Sequence, residues 1–332
     1  MTKLLEIRES LRNLYGRTEI YIRAGVKFLI SLIALLVIND TMGYMSQINK
    51  IPVVLMLALL CTFLPINMVS VLLSVFILLH LSALSLEVCV VALCILLLMV
   101  FMYFRMAPDN GYNAVLTPLL FYFKIPQVMP VSIGLLKEPF SIVSMACGIV
   151  WFYFLKGVIS NESLFSTAID ADDKTSKFVL ALQQITENKE MFLAVAAFAI
   201  TALIVYLIRR QSINRSWTVA ICVGNVLNLV IMLVGHFVLG TTSDLLWLII
   251  GMLLSFAYNF CVEFFMYSFD YSRIEKVQFE DDEYYYFVKA IPKSYLSTKV
   301  KQVKKINSNK KMTINRKKLA EEFDIDEEFL DD

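Results

Sequence analysis

Two apolar stretches in the C-terminal half of the chain carry polar side chains at helical intervals. Asn225, Asn228 and His236 fall within about 80° of one another on a helix that turns about 100° per residue, and Gly251, Ser255, Asn259 and Glu263 recur at every fourth position. Two proline-broken apolar segments add further polar groups. Asn67 follows Pro65-Ile66 in the first, and Lys124 and Gln127 lie within Lys124-Ile125-Pro126-Gln127-Val128-Met129-Pro130 in the second. An ionisable group in hydrocarbon costs about 2.5 to 3.5 kcal/mol on insertion scales, so its presence there asks for a reason. Such groups either line a path for a solute or ion, or hydrogen-bond neighbouring helices together. Asn67, Lys124, Gln127, Asn225, Asn228, Asn259 and Glu263 are therefore the candidate lining of a polar path, with Lys124 favouring an anionic solute. His80, close in sequence to Glu87, is expected to form an interfacial pair with it.

Bond-making chemistry has little to work with. There is no Gly-rich phosphate loop, HExxH or GxSxG, and no nucleophile stands beside a base. The six cysteines all lie inside apolar runs, where they behave as small hydrophobes, and two histidines do not make a metal centre. The reading is of a protein that is not an enzyme and needs no cofactor or metal.

The elements that position these residues must cross a bilayer. Hydrophobic residues make up 58% of 332, charged residues only 18%, and the mean hydropathy is +0.67, far from the balance of a soluble domain. A spanning helix needs about 20 apolar residues. Residues 22–39, 87–104, 139–156, 191–208, 217–239 and 245–268 meet that need. The fold class is an all-α polytopic membrane protein of six to eight transmembrane helices with re-entrant hairpins. Residues 51–64 and 67–84, divided at Pro65, are either two tight spans or one hairpin. Residues 114–136, broken at Pro126, are too short for two spans. They form either a re-entrant hairpin opening to the cytoplasm or two amphipathic pieces along the membrane surface. Hairpins of opposite entry side around 51–84 and 114–136 give the inverted arrangement from which secondary transporters build central sites.

Charge reports topology and not a nucleic-acid partner. With both termini in the cytoplasm, 25 of the 30 Lys and Arg residues fall on that side. Residues 1–21 read as a cytoplasmic amphipathic helix, 22–156 as a first membrane bundle, and 157–190 as an external loop. Phe178, Leu182 and Ile185 mark the apolar face of a helix in that loop. Residues 191–268 read as a three-helix bundle, 269–295 as a small cytoplasmic β-hairpin, and 296–332 as a disordered tail. That tail is basic first, a surface for anionic lipids. It is then acidic around Phe323, Ile325, Phe329 and Leu330, spaced like a motif that folds on a cytosolic partner. A homo-oligomer is a further possible assembly.

The segment FEDDEYYYFVKAIPK, Phe279 to Lys293, together with the Pro65-Ile66-Asn67 turn and the hydropathy profile, resembles a group of multi-pass membrane proteins of anaerobic Gram-positive bacteria. The resemblance covers most of the chain. It implies a bacterial plasma membrane and supplies no catalytic residues. Two functional expectations follow from the residues: a secondary-transporter-like permease for a small, anionic solute, or a membrane scaffold that recruits a cytosolic or envelope-assembly partner through its C-terminal tail.

Overall fold

A computed structural model describes residues 2–106, 111–166, 171–212, 215–240, 245–266, 275–280 and 285–290. Its contacts divide the chain into two units, residues 3–269 and residues 270–332. The first unit is helical. In chain order its helices are α1 (Thr2–Thr41), α2 (Ile51–Phe63), α3 (Ile66–Leu84), α4 (Leu86–Met106), α5 (Gly111–Tyr122) and α6 (Val128–Leu136). After these come α7 (Ser141–Ser160), α8 (Glu162–Ser166), α9 (Ala171–Thr186), α10 (Lys189–Arg209), α11 (Ser216–Leu239) and α12 (Leu245–Met266). In the second unit β1 (Glu275–Glu280) and β2 (Tyr285–Ala290) pair antiparallel, Glu275 opposite Ala290 and Glu280 opposite Tyr285. The C-terminal segment with Phe323, Ile325, Phe329 and Leu330 lies outside the described residues.

Six helices among the described residues are long and apolar enough to cross a membrane: α1 from Leu14, α3, α7, the stretch Lys177–Arg209 that contains α10, α11 and α12. The chain is thus a multi-pass membrane protein in contact with the bilayer. The set differs from the sequence expectation at one place. From Asn67, α3 is a span by itself, whereas the apolar part of α4 ends at Met102 and is one of two shorter apolar helices, with α2. The N-terminal segment is helical on both sides of a kink. Residues 2–41 form one long helix with a break in helical backbone only at Thr18, whose hydroxyl bonds back to Leu14 O at 2.7 Å.

The break between α2 and α3 comes from Leu64 and Pro65, both extended, since proline removes a donor and biases its predecessor away from helix. Lys27 of α1 donates to the freed Leu64 carbonyl at 3.1 Å. At the other end of α3, His80 is fully buried; its Nε2 meets Asn39 Oδ1 at 3.0 Å and its Nδ1 accepts the Met45 amide at 3.3 Å. The expected His80–Glu87 pair does not form, because Glu87 accepts from the Ser85 hydroxyl instead, at 2.6 Å. Accepting a backbone N–H at Nδ1 leaves the proton on Nε2, so this imidazole is neutral.

Two apolar cores share α7. Trp151, Phe154 and Val158 pack with α1 to α4 and α9, while Met145, Ile149 and Tyr153 pack with α10 to α12. On α9 it is Leu180, Ala181 and Ile185 that belong to the first core; Phe178 and Leu182, assigned to the apolar face from sequence, are exposed. Ala181 and Gln184 turn inward because Gly157 on α7 leaves room for the Gln184 amide.

Candidate functional site

The turn between α5 and α6 is where the two halves meet. Phe123 N bonds to Leu119 O, Lys124 N to Phe121 O and Ile125 N to Leu120 O, the last being the six-to-one bond of a Schellman motif. Position C′ of that motif needs left-handed backbone and usually takes glycine. Here it is Lys124, with φ of 60°, at a cost of about 1 to 2 kcal/mol. Pro126 then forbids continuation, and α6 restarts with Met129 N on Pro126 O at 3.0 Å. The carbonyls of a helix broken inside the protein are thus answered locally.

The two limbs pack on different neighbours. Limb α5 lies along α7: Asn113 Nδ2 donates to Ser144 Oγ at 3.3 Å, and Phe121 stacks on Phe152 with ring centroids 4.9 Å apart. Gly148 permits this approach, since a Cβ there would lie 2.8 Å from Thr117 Cβ and 3.2 Å from Ala114 O. That carbonyl is the one Pro118 deprives of its helical donor. Limb α6 is buried along eight of its nine residues, from Val128 to Leu135. It lies against α10 at Gly134, where a Cβ would come within 2.6 Å of Ala202 O, and Arg209 closes its end by donating to Leu135 O.

Limb α6 also runs parallel to α12. Ser255 Oγ donates to Gln127 O at 3.1 Å and Ser132 Oγ to Asn259 Oδ1 at 3.0 Å, while Asn259 Nδ2 turns back to Ser255 O at 2.9 Å. The Gln127 side chain lies on Gly251, which has no Cβ to exclude it. Gly251, Ser255 and Asn259 of the four-residue ladder on α12 therefore face the α5–α6 turn and α6, with Gln127 at the middle of α12 and about 16 Å from its C-terminal end.

The remaining predicted residues fall into three groups. Asn225 and Asn228 are buried on α11, and Asn225 Nδ2 donates to Ile221 O at 2.9 Å. Glu263 lies two turns from Ser255 and accepts from Thr218 Oγ1 at 2.6 Å, a brace between α11 and α12. Asn67 sits apart in the first turn of α3. Its turn is tied to α1 at Lys27, whereas Tyr122, before the other turn, donates to Asp40 at 2.8 Å, thirteen residues and about 20 Å further along α1.

A cavity of about 660 Å³ opens beside α5, between α1, α3, α4 and α7. Its walls are mostly aliphatic and aromatic. Lys124, Lys156, Ser160 and Thr41 mark one end, while Ser70 and Ala114 lie toward the other. The Lys124 ammonium rests 4.9 Å from the centre of the Trp247 ring, and Lys156 lies 3.8 Å from Glu190 and is 57% exposed.

Sequence reasoning missed Gly134, Gly148 and the Asn113–Ser144 bond. Each is a single small or polar residue in an apolar run, and only the proline-marked brevity of α5 and α6 hinted that close neighbours were needed. Among the described residues no group of His, Cys, Asp or Glu is arranged to hold a metal ion. No family model, no curated protein and no solved structure matches the chain.

Proposed function

We propose that this membrane protein is a permease for an amphiphilic anion, a molecule with a long apolar body and one acidic group, in a bacterial plasma membrane with both termini cytoplasmic. The observation that carries the reading is the cavity beside α5. Its volume falls within the range of about 300 to 1,000 Å³ typical of ligand sites. Its walls suit a hydrocarbon chain, and cationic side chains stand at one end. In this reading α5 and α6 re-enter the bilayer from the cytoplasmic side and their turn passes the midplane, with Gln127 level with the middle of α12 and Lys124 further out beside Trp247. Broken backbone at that depth is tolerated because protein surrounds it. Lys124 is the residue placed to meet the acidic group. Its present partner is a tryptophan face, a contact of about 0.5 to 2 kcal/mol that a carboxylate or phosphate ion pair displaces.

The test uses purified full-length protein in liposomes and a fluorescent fatty acid as probe, compared with an alkylammonium of equal chain length. Binding and transbilayer movement are expected for the anion and not for the cation, and Lys124→Met lowers the anion's affinity. Equal behaviour of the two probes overturns the reading. The scaffold alternative draws on the separate unit formed by residues 270–332. A two-stranded pair is marginal alone and gains from a partner. Deleting residues 313–332 separates the two readings, because it releases a scaffold's partner and leaves transport intact.

A further inference from the structure

The cavity beside α5 is followed by a second, smaller void of about 10 Å³. Three helices wall both, and they run parallel. Lys27 of α1 meets Leu64 just before α3 begins, and Asn39 meets His80 near the end of α3. Gly111, at the start of α5, lines the void together with Lys27, while Tyr122 at the end of α5 meets Asp40. On each helix the void follows the cavity in the same direction, toward the N-terminal end. Ala34 gives way to Ser31 on α1, Ser70 to Val69 on α3, and Ala114 to Gly111 on α5. Cavity and void are therefore successive compartments of one groove.

Val115 borders both compartments. The void beyond it is close to the volume of about 10 to 15 Å³ that a single water molecule requires, so no hydrocarbon chain passes while the valine stands there. Lys27 also lines the void, which puts a cation on the far side of Val115 from Lys124. A β-branched side chain has one dominant rotamer in a helix, so opening this point takes backbone movement. The backbone of α5 is weakest at this turn. Pro118 offers no N–H to Ala114 O, and the Thr117 hydroxyl bonds back to Asn113 O at 2.6 Å, a contact that bends helices. The opposing α1 is held at the two broken segments by single hydrogen bonds, Lys27 to Leu64 O and Tyr122 to Asp40.

We propose that Val115 is the gate of the substrate path, closing the groove between the cationic end at Lys124 and the second cation at Lys27. The inference rests on the permease reading and assigns the residue that controls passage, as distinct from binding. Bending of α5 at the Ala114–Pro118 turn draws Val115 aside and joins the two compartments, and the acidic group moves from Lys124 toward Lys27.

The experiment uses purified full-length protein in liposomes and a fluorescent alkyl sulfonate, whose permanent charge suppresses movement across protein-free bilayers. Equilibrium binding and the rate of transbilayer movement are measured separately. Val115→Ala is expected to raise the rate about ten-fold and Val115→Phe to lower it about ten-fold, both with wild-type affinity for the probe. Tm in detergent shows whether the phenylalanine is accommodated, and where it is not, Val115→Ala carries the test by itself. Wild-type rates in the variants, with binding intact, overturn the gate and leave the permease reading standing. A changed affinity with an unchanged rate makes Val115 a wall of the binding site only, and overturns the gate as well. A wild-type protein that neither binds nor moves the probe removes the permease reading, and the gate with it.

Discussion

Replacing Gly134 by alanine tests whether α6 is an internal helix held against α10. The added Cβ would stand 2.6 Å from Ala202 O and 2.7 Å from both Cβ and Cγ1 of Val205. Two of these neighbours cannot rotate away, because one is backbone and another is attached directly to it. Restoring contact at about 3.4 Å asks α6 and α10 to part by roughly 0.8 Å. Overpacking of that kind costs about 1 to 3 kcal/mol. It is opposed by a helix-propensity gain of about 1 kcal/mol for alanine over glycine. A shift of α6 away from α10 also presses it onto α12, at the Ser132–Asn259 and Ser255–Gln127 bonds on its opposite side. The net cost is up to about 2 kcal/mol, so at about 2 to 4 °C per kcal/mol Tm in detergent should fall by up to roughly 8 °C and lie below that of an alanine that gains helix propensity without the clash. Gly25→Ala is the matched control, since a Cβ there meets nothing within 4 Å, and its Tm should hold or rise. Should Gly134→Ala track Gly25→Ala, the α6–α10 contact is not present in the membrane protein, and the reading of an internal hairpin fails with it.

Lys124→Gly should raise Tm, by relieving left-handed backbone at a cost of about 1 to 2 kcal/mol, while losing affinity for the anionic probe as Lys124→Met does; a drop in Tm would show that the backbone there is not strained. Lys27→Met strips the Leu64 carbonyl of a charged donor and should destabilise by about 1.5 to 3 kcal/mol, read as earlier unfolding and as proteolytic cleavage near residues 63–66. His80→Leu leaves Asn39 Oδ1 and the Met45 amide unpaired at about 1 to 3 kcal/mol each, and an unchanged Tm would refute the buried neutral imidazole. Thr218→Val withdraws the donor from Glu263 and should cost about 1 to 2 kcal/mol, with the double variant Thr218→Val/Glu263→Gln less than additive in a double-mutant cycle.

Periodicity made part of this site legible. Ser255 and Asn259 repeat with the helix, so their shared face follows from sequence, and that face does meet a partner. The partner itself was harder to see. Asn259 bonds to Ser132, 127 residues away, and nothing in the nine residues of α6 carries a period long enough to announce a buried face. Prolines gave the existence of both breaks but not their separation, which depends on where Lys27 and Asp40 tie them to α1. His80 misled because Glu87 is near it in sequence, whereas Asn39, 41 residues distant, is near it in space. The face of α9 misled because a glycine on α7 admits Gln184, and a polar side chain thereby displaces Phe178 and Leu182 from the interior.

The partners of α6 lie late in the chain, and that bears on how the protein is made. Ala202, Val205, Arg209, Ser255 and Asn259 are synthesised after it, so when α6 leaves the ribosome none of these partners yet exists to cover it, although α5 already has α1 and α3 beside it. A helix of nine residues, about 14 Å long, is also too short to be retained across the bilayer by its own hydrophobicity. The hairpin must therefore wait at the membrane surface or in the insertion machinery until α10 to α12 are in place. Its docking is the closing step of biogenesis, joining two separately inserted halves, and chains truncated before residue 190 should be recognised by membrane quality-control proteases although every earlier span is complete.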